Sequence, residues 1–162
     1  MNKYLSKKEV EGYWKILIKK DLDLFIYSLS TNNLSQKWQF IFRNKILKLL
    51  IPEEVKIGNL EFHKKYCERE FLISESSPNY LSIHSVMIRD LIRNLNSKSY
   101  CLIIDIDAFP LSIFAIKLTF VLAMLKGING NIQRTNCLDN GGHLFIGPSY
   151  ICFNTETIKK LN

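Results

Sequence analysis

The sequence predicts an α/β protein, a three-layer sandwich around a mostly parallel sheet. Three observations point there. Strand-like segments alternate with segments of helical periodicity along most of the chain, the order expected of successive β-α-β units. One run, Tyr100 to Ile106 (YCLIIDI), is nearly all apolar, as a strand covered on both faces of a sheet must be. The 162 residues contain no repeat, low-complexity tract or evident linker, so a single domain over 1–162, built on one core, is expected.

Each element has its own signal. Ser6 and Glu9 form an S-x-x-E capping box ahead of Val10, Tyr13, Trp14, Leu17 and Ile18 at helical spacing. Leu22 to Leu29 (LDLFIYSL) is rich in strand formers and runs into the polar Ser30-Thr31-Asn32-Asn33 turn. After Ser35, an N-cap residue, QKWQFIFRNKILKLL places Trp38, Ile41, Phe42, Ile46 and Leu49 near one helical face and stops before Pro52. Glu53 to Ile57 and Glu70 to Ile73 read as short strands. Ser82 opens a helix with Ile83, Met87, Leu91 and Leu95 on one side. Tyr100 to Ile106 is the buried strand, and Ser112 starts a helix through Lys126 that Gly127 closes. Asn131 to Arg134, an Asn/Gly-rich loop, the strand-like HLFIGPSYICF and a short helix after Thr155 complete the chain.

Composition narrows the partners. Lys and Arg number 22 against 15 Asp and Glu, a formal net charge of +7, which suits a polyanion or an acidic surface. The basic residues fall in spaced pairs, Lys7-Lys8, Lys19-Lys20, Lys64-Lys65 and Lys159-Lys160, as on solvated helix faces. Nucleic acid is therefore not expected as a partner, while peripheral membrane association stays open. Cys67, Cys101, Cys137 and Cys152 form no CxxC pair, which argues against zinc. Cys101 and Cys152 lie in apolar runs and read as core residues in a reducing compartment. MNKYLSKKEVEGYW has no signal-peptide core, and Ile113 to Leu125 is short for a membrane span and contains Lys117. A soluble, cytoplasmic protein is expected.

The chemistry concentrates at Asp105-Ile106-Asp107. Strand alternation sends both carboxylates to one side and Ile106 to the other. Ligands of open α/β sheets gather at the carboxyl ends of strands, where this pair stands. Two adjacent carboxylates repel, and a hard divalent ion, Mn²⁺ or Mg²⁺, relieves that repulsion while keeping positions open for phosphate oxygens. Ala108-Phe109-Pro110-Leu111 then turns the chain out of the sheet. The plainer reading has one Asp capping the next turn and the other in solvent.

CLIIDIDAFPLS resembles the hhhhDxDxhPL segment of GT-A-type nucleotide-sugar glycosyltransferases, especially small bacterial and viral members. The resemblance implies a GT-A-like fold in which Asp105 and Asp107 bind the metal and the metal holds the donor's diphosphate. It implies that SIHSVMIRDLIR is the helix before the DxD strand, with Asp90, Arg89 or His84 facing the donor. NIQRTNCLDNGGHLFIGPSYICF resembles the later loop and the strand containing Pro-Ser. The likeness covers Ser82 to Phe153. For Leu22 to Ile57 it extends only to the order of elements, where a first β-α-β unit would form the nucleotide pocket. The implied acceptor is a glycan, lipid or protein. Members usually carry an acceptor-binding part after the DxD strand and an HxxGxxKPW-like signature that this sequence lacks, so a minimal, truncated or degenerate member is expected. No catalytic base is assigned.

Other residues fit around that pair. His143, after Gly141-Gly142, is a candidate third metal ligand or diphosphate contact. Gln133 and Arg134 are candidate donor-binding residues, Arg134 by a forked contact to phosphate. Asn140-Gly141-Gly142 is an anion cradle or a tight turn. Ser149 has no G-x-S-x-G setting, which excludes a hydrolase elbow. Trp14 and Trp38 read as core. Two rivals remain. In a haloacid dehalogenase-type phosphatase the first Asp would be nucleophile and the second general acid, but such a motif lies near the N-terminus and lacks Phe109-Pro110. In a non-catalytic α/β binding module the DxD would be a relic.

Overall fold

The computed structural model describes residues 4–20, 22–29, 41, 45–57, 88–89, 91–96, 98–105, 108, 110–134 and 144–160. Five strands form one sheet among them: β1 (Leu24–Leu29), β2 (Val55–Ile57), β3 (Tyr100–Asp105), β4 (Ile128–Arg134) and β5 (Leu144–Asn154), in the order β2-β1-β3-β5-β4. β1 is parallel to β2 and β3, and β5 is antiparallel to both β3 and β4. Four strands therefore run the same way, and β5 alone returns between β3 and β4. The sheet is mixed, and mostly parallel in strand direction. Connection length explains the exception: the nine positions between β4 and β5 are too few for a helical crossover, so β5 comes back as a hairpin strand.

Strand alternation divides the core into two layers. Leu24, Ile26, Leu102, Ile104 and Cys152 face α1 (Lys7–Lys19), α2 (Ile113–Lys126) and Leu47 of the helical stretch 45–50. Tyr27, Cys101, Ile103 and Phe153 face Leu91 and Leu95 of the other layer, joined by Ile158 of α3 (Thr155–Lys159). The α/β/α layering expected of the sequence is present. Leu47, from the β1-to-β2 connection, packs on one face, and Leu91 and Leu95, from the β2-to-β3 connection, pack on the other. Two crossovers of one hand that proceed in opposite directions along a sheet require this placement.

The helix signals act where they were read. The Ser6 side chain accepts from the Glu9 N–H while the Glu9 carboxylate accepts from the Ser6 N–H at 2.8 Å, so both halves of the capping box form. Val10, Trp14 and Leu17 are buried, and the Trp14 ring meets Phe120 of α2 edge-on at 6.0 Å. Ser112 caps α2 through the Ala115 N–H. Lys117, the charge inside the apolar run, pairs with Glu11 of α1 at 3.1 Å, so the two helices are joined by an ion pair beside their apolar contact. Among the described residues no helix is long and apolar enough to cross a membrane.

The helix before β2 differs from expectation. Leu47, with Leu50 and Ile51 beside it, enters the core, whereas Leu49 is 83% exposed and Ile41 lies at the surface. KILKLL is apolar on two adjacent helical faces, and the phase i, i+3, i+4 from Leu47 is the one that meets the sheet. Trp38 and Phe42 lie outside the described residues, as do Glu70 to Ile73, Ile83 and Met87.

Gly127 ends α2 at φ 80°, and its N–H donates to the Ala123 carbonyl at 2.7 Å. A Cβ there would lie 2.9 Å from Thr157 Cγ2. Gly127→Ala is expected to lower stability by about 1–2 kcal/mol, read as a lower urea midpoint at unchanged m-value. An unchanged midpoint would mean that the chain relaxes freely at this turn.

Candidate functional site

Asp105 is the last residue of β3, the middle strand of the sheet, and is partly buried. Alternation along Cys101 and Ile103 puts its side chain on the face covered by Leu91 and Leu95. Its carbonyl accepts from the Ala108 N–H at 3.0 Å, so the chain leaves the sheet directly after it. Pro110 is buried and Ser112 starts α2, which carries the chain back along the sheet.

On one side Asp105 stands in register with Leu29, the end of β1. The connection from β1 departs toward β2 at one edge, and that from β3 departs through α2 toward β4 at the other. The carboxyl ends of β1 and β3 therefore flank a switch point, the place where open α/β sheets hold their ligands.

On the other side is β5. Tyr150 pairs with Ile104, so the next positions along are Ser149 and Asp105. Here β5 is irregular. Between the pairs Gly130↔Ile151 and Ile132↔Ile146, residues 147–150 stand opposite the single Asn131. Pro148 falls inside this bulge, where its missing N–H breaks no ladder bond.

The bulge is held at both ends. Thr119 Oγ1 donates to the Ala115 carbonyl at 2.8 Å, so the 2.6 Å contact between Thr119 and Tyr150 has the Tyr150 hydroxyl as donor. Burial lifts that phenol above its ordinary pKa. Next to Tyr150, Ser149 Oγ accepts from Gln133 Nε2 at 3.4 Å, and Gly147 forms the other end. The Gln133 amide lies across Gly147, where a Cβ would come within 2.3 Å of the amide carbon. Arg134 is exposed at the end of β4, on the same carboxyl edge as Asp105. Of the expected site residues, Asp105, Gln133 and Arg134 thus lie at the same end of the sheet, Asp105 on the face of Ile103 and Ile128, and Gln133, five residues on from Ile128, on the opposite face. Asp107, Asp90, His84 and His143 lie outside the described residues, as does the loop Asn140-Gly141-Gly142.

Among the described residues no three His, Cys, Asp or Glu side chains gather as a metal cage. Asp105 brings a single carboxylate to this end of the sheet. Cys101 and Cys152 sit on adjacent strands but face opposite layers, and both are free. Complete burial raises both thiols, which suits packing and not nucleophilic chemistry.

Local sequence reading weighed Ser149 only as a hydrolase elbow, which it excluded, and did not single out Gly147. A Gly-Pro pair inside a strand-like run was the available signal, since neither residue belongs in a regular ladder. No protein-family model matches the chain, and neither a characterised protein nor a solved structure is significantly similar to it.

Proposed function

We propose that the chain is a metal-dependent glycosyltransferase of GT-A-like architecture, moving a sugar from a nucleotide-diphosphate donor to a glycan, lipid or protein acceptor. The observation that carries this reading is the position of Asp105, at the carboxyl end of the central strand and beside the switch point shared with β1. Asp105 and Asp107 are the residues that would hold Mn²⁺ or Mg²⁺. The ion, when bound, neutralises the charge that develops on the departing nucleoside diphosphate. The crevice over β1 and β2 takes the nucleoside.

The direct test is a thermal-shift panel of UDP-, GDP-, CMP- and dTDP-sugars, each with and without Mn²⁺, with phosphomonoesters as controls. The expected result is a rise in Tm for one nucleotide class that requires the metal. Stabilisation grows with ligand over Kd, about 2.7 kcal/mol at a hundredfold excess, which a melting curve resolves. A metal-dependent response to phosphomonoesters alone would instead favour the phosphatase. Silence across the panel would leave a binding module.

A further inference from the structure

We infer that the outer surface of the layer built from α1, the helical stretch 45–50 and α2 docks on an anionic lipid bilayer. The inference goes beyond the proposed reaction and does not depend on it. Val10 and Leu17 of α1, Leu47, and Ile116 and Phe120 of α2 all pack on one face of the sheet. The residues pointing away from that core therefore belong to one surface. It carries the charge of the protein. Residues 4–20, 45–50 and α2 contain nine Lys and two Glu, a difference of +7, equal to the net charge of the whole chain. Outside these segments the charges cancel. Both carboxylates are already engaged, Glu9 in the capping box and Glu11 with Lys117.

Helical phase sets where the lysines stand. α1 buries Val10 and Leu17, while Lys8, Lys15 and Lys19, at i, i+7 and i+11, are exposed along the opposite side. In the stretch 45–50 Leu47 is buried, and Lys45, Lys48 and Leu49 are exposed. Among the described residues none of these five lysines has an ion-pair partner, in contrast to Lys160 with Glu156 in α3. A merely solvated helix face gains from such i,i+4 pairs. Unpaired lysines in rows keep their whole field for a polyanion.

The neighbouring side chains decide which polyanion. Large apolar groups stand among the lysines: Leu49 is 83% exposed, Tyr4 93% and Ile16 47%. A bilayer interface accommodates both kinds, since ammonium groups stay at headgroup level while apolar side chains reach the acyl boundary. Every basic residue of these segments is Lys, a point charge suited to a diffuse anionic surface. None is Arg, whose planar fork grips individual phosphates of a nucleic acid.

The experiment measures partition of the full chain, without nucleotide, onto phosphatidylcholine vesicles with or without about 30 mol% phosphatidylglycerol, at low and high salt. The variants are Lys8→Gln/Lys15→Gln/Lys19→Gln and Leu49→Ala. All four side chains are exposed, so the fold persists, which circular dichroism checks. The wild type is expected to bind the anionic vesicles alone, and less tightly at high salt. The triple variant is expected to lose about a hundredfold, near fivefold for each lysine. Leu49→Ala is expected to lose about fivefold with the salt dependence unchanged, because it removes apolar insertion and no charge. Equal partition onto neutral and anionic vesicles, binding to neither, or a triple variant that binds like the wild type would overturn the docking surface. Tighter binding to duplex DNA than to the anionic vesicles, with Leu49→Ala silent toward both, would assign the lysines to nucleic acid and overturn it as well.

Discussion

Asp105→Asn is expected to lower Mn²⁺-dependent nucleotide-sugar affinity by a hundredfold or more while changing stability by less than about 1 kcal/mol. The two effects separate because they have different origins. In the folded chain Asp105 is only partly buried, at the end of a strand whose core residues, Leu102 to Ile104, are fully covered. Asparagine keeps the shape and hydrogen-bonding reach of aspartate. Without the negative charge the ion loses a strong ligand, and with the ion goes its link to the diphosphate. Asp107→Asn is expected to act alike. Isothermal titration of each variant with Mn²⁺ and the best donor measures the loss, and a urea curve measures the fold. An unchanged affinity would remove Asp105 from the site. A collapse in stability comparable to the binding loss would make it a structural residue.

Parts of this architecture are written locally. α2 was legible from end to end, because Ser112 caps it, Gly127 closes it, and both act within a turn of their own position. The capping box of α1 was legible for the same reason. β3 was legible because a strand covered on both faces has no polar alternation to confuse, and Asp105 stood out as the first charge after it. Local periodicity does not carry strand order. That β5 returns between β3 and β4 depends on a hairpin connection too short for a crossover and on which edge remains open. The pairing of Lys117 with Glu11 follows from how α1 and α2 cross. The neighbourhood of Ser149, Gly147 and Gln133 likewise exists only once a bulge has brought four residues of β5 against one of β4. Gln133 and Arg134 were singled out as phosphate contacts, and their place at the same end of the sheet as Asp105 comes from β4 running the same way as β3.

Stability is expected to fall steadily as pH rises above 9. Cys101 and Cys152 are fully buried, and the loss of hydration pushes both thiols above their ordinary value of 9.0. In the unfolded chain they ionise near that value, while in the fold they keep their protons. Above pH 9 the unfolded state therefore binds fewer protons than the native state, so stability falls as pH rises. The contribution is whole below pH 9 and is lost progressively toward the folded values. Each thiol that keeps its proton adds a slope of about 1.4 kcal/mol per pH unit, against about 5–15 kcal/mol for a domain's entire stability. Tyr27, which burial lifts to about 12, and Tyr100 and Tyr150, also raised by burial, act with the same sign from about pH 10. Urea midpoints between pH 8 and 10.5 measure the slope. Cys152→Ala is expected to flatten it between pH 9 and 10, although the lost side chain lowers stability at pH 8. Cys101→Ala should do the same from the opposite face of the sheet. A slope that neither substitution changes would assign the alkaline transition to the tyrosines. Stability that stays level to pH 10.5 would mean that water reaches the two thiols inside the folded sheet.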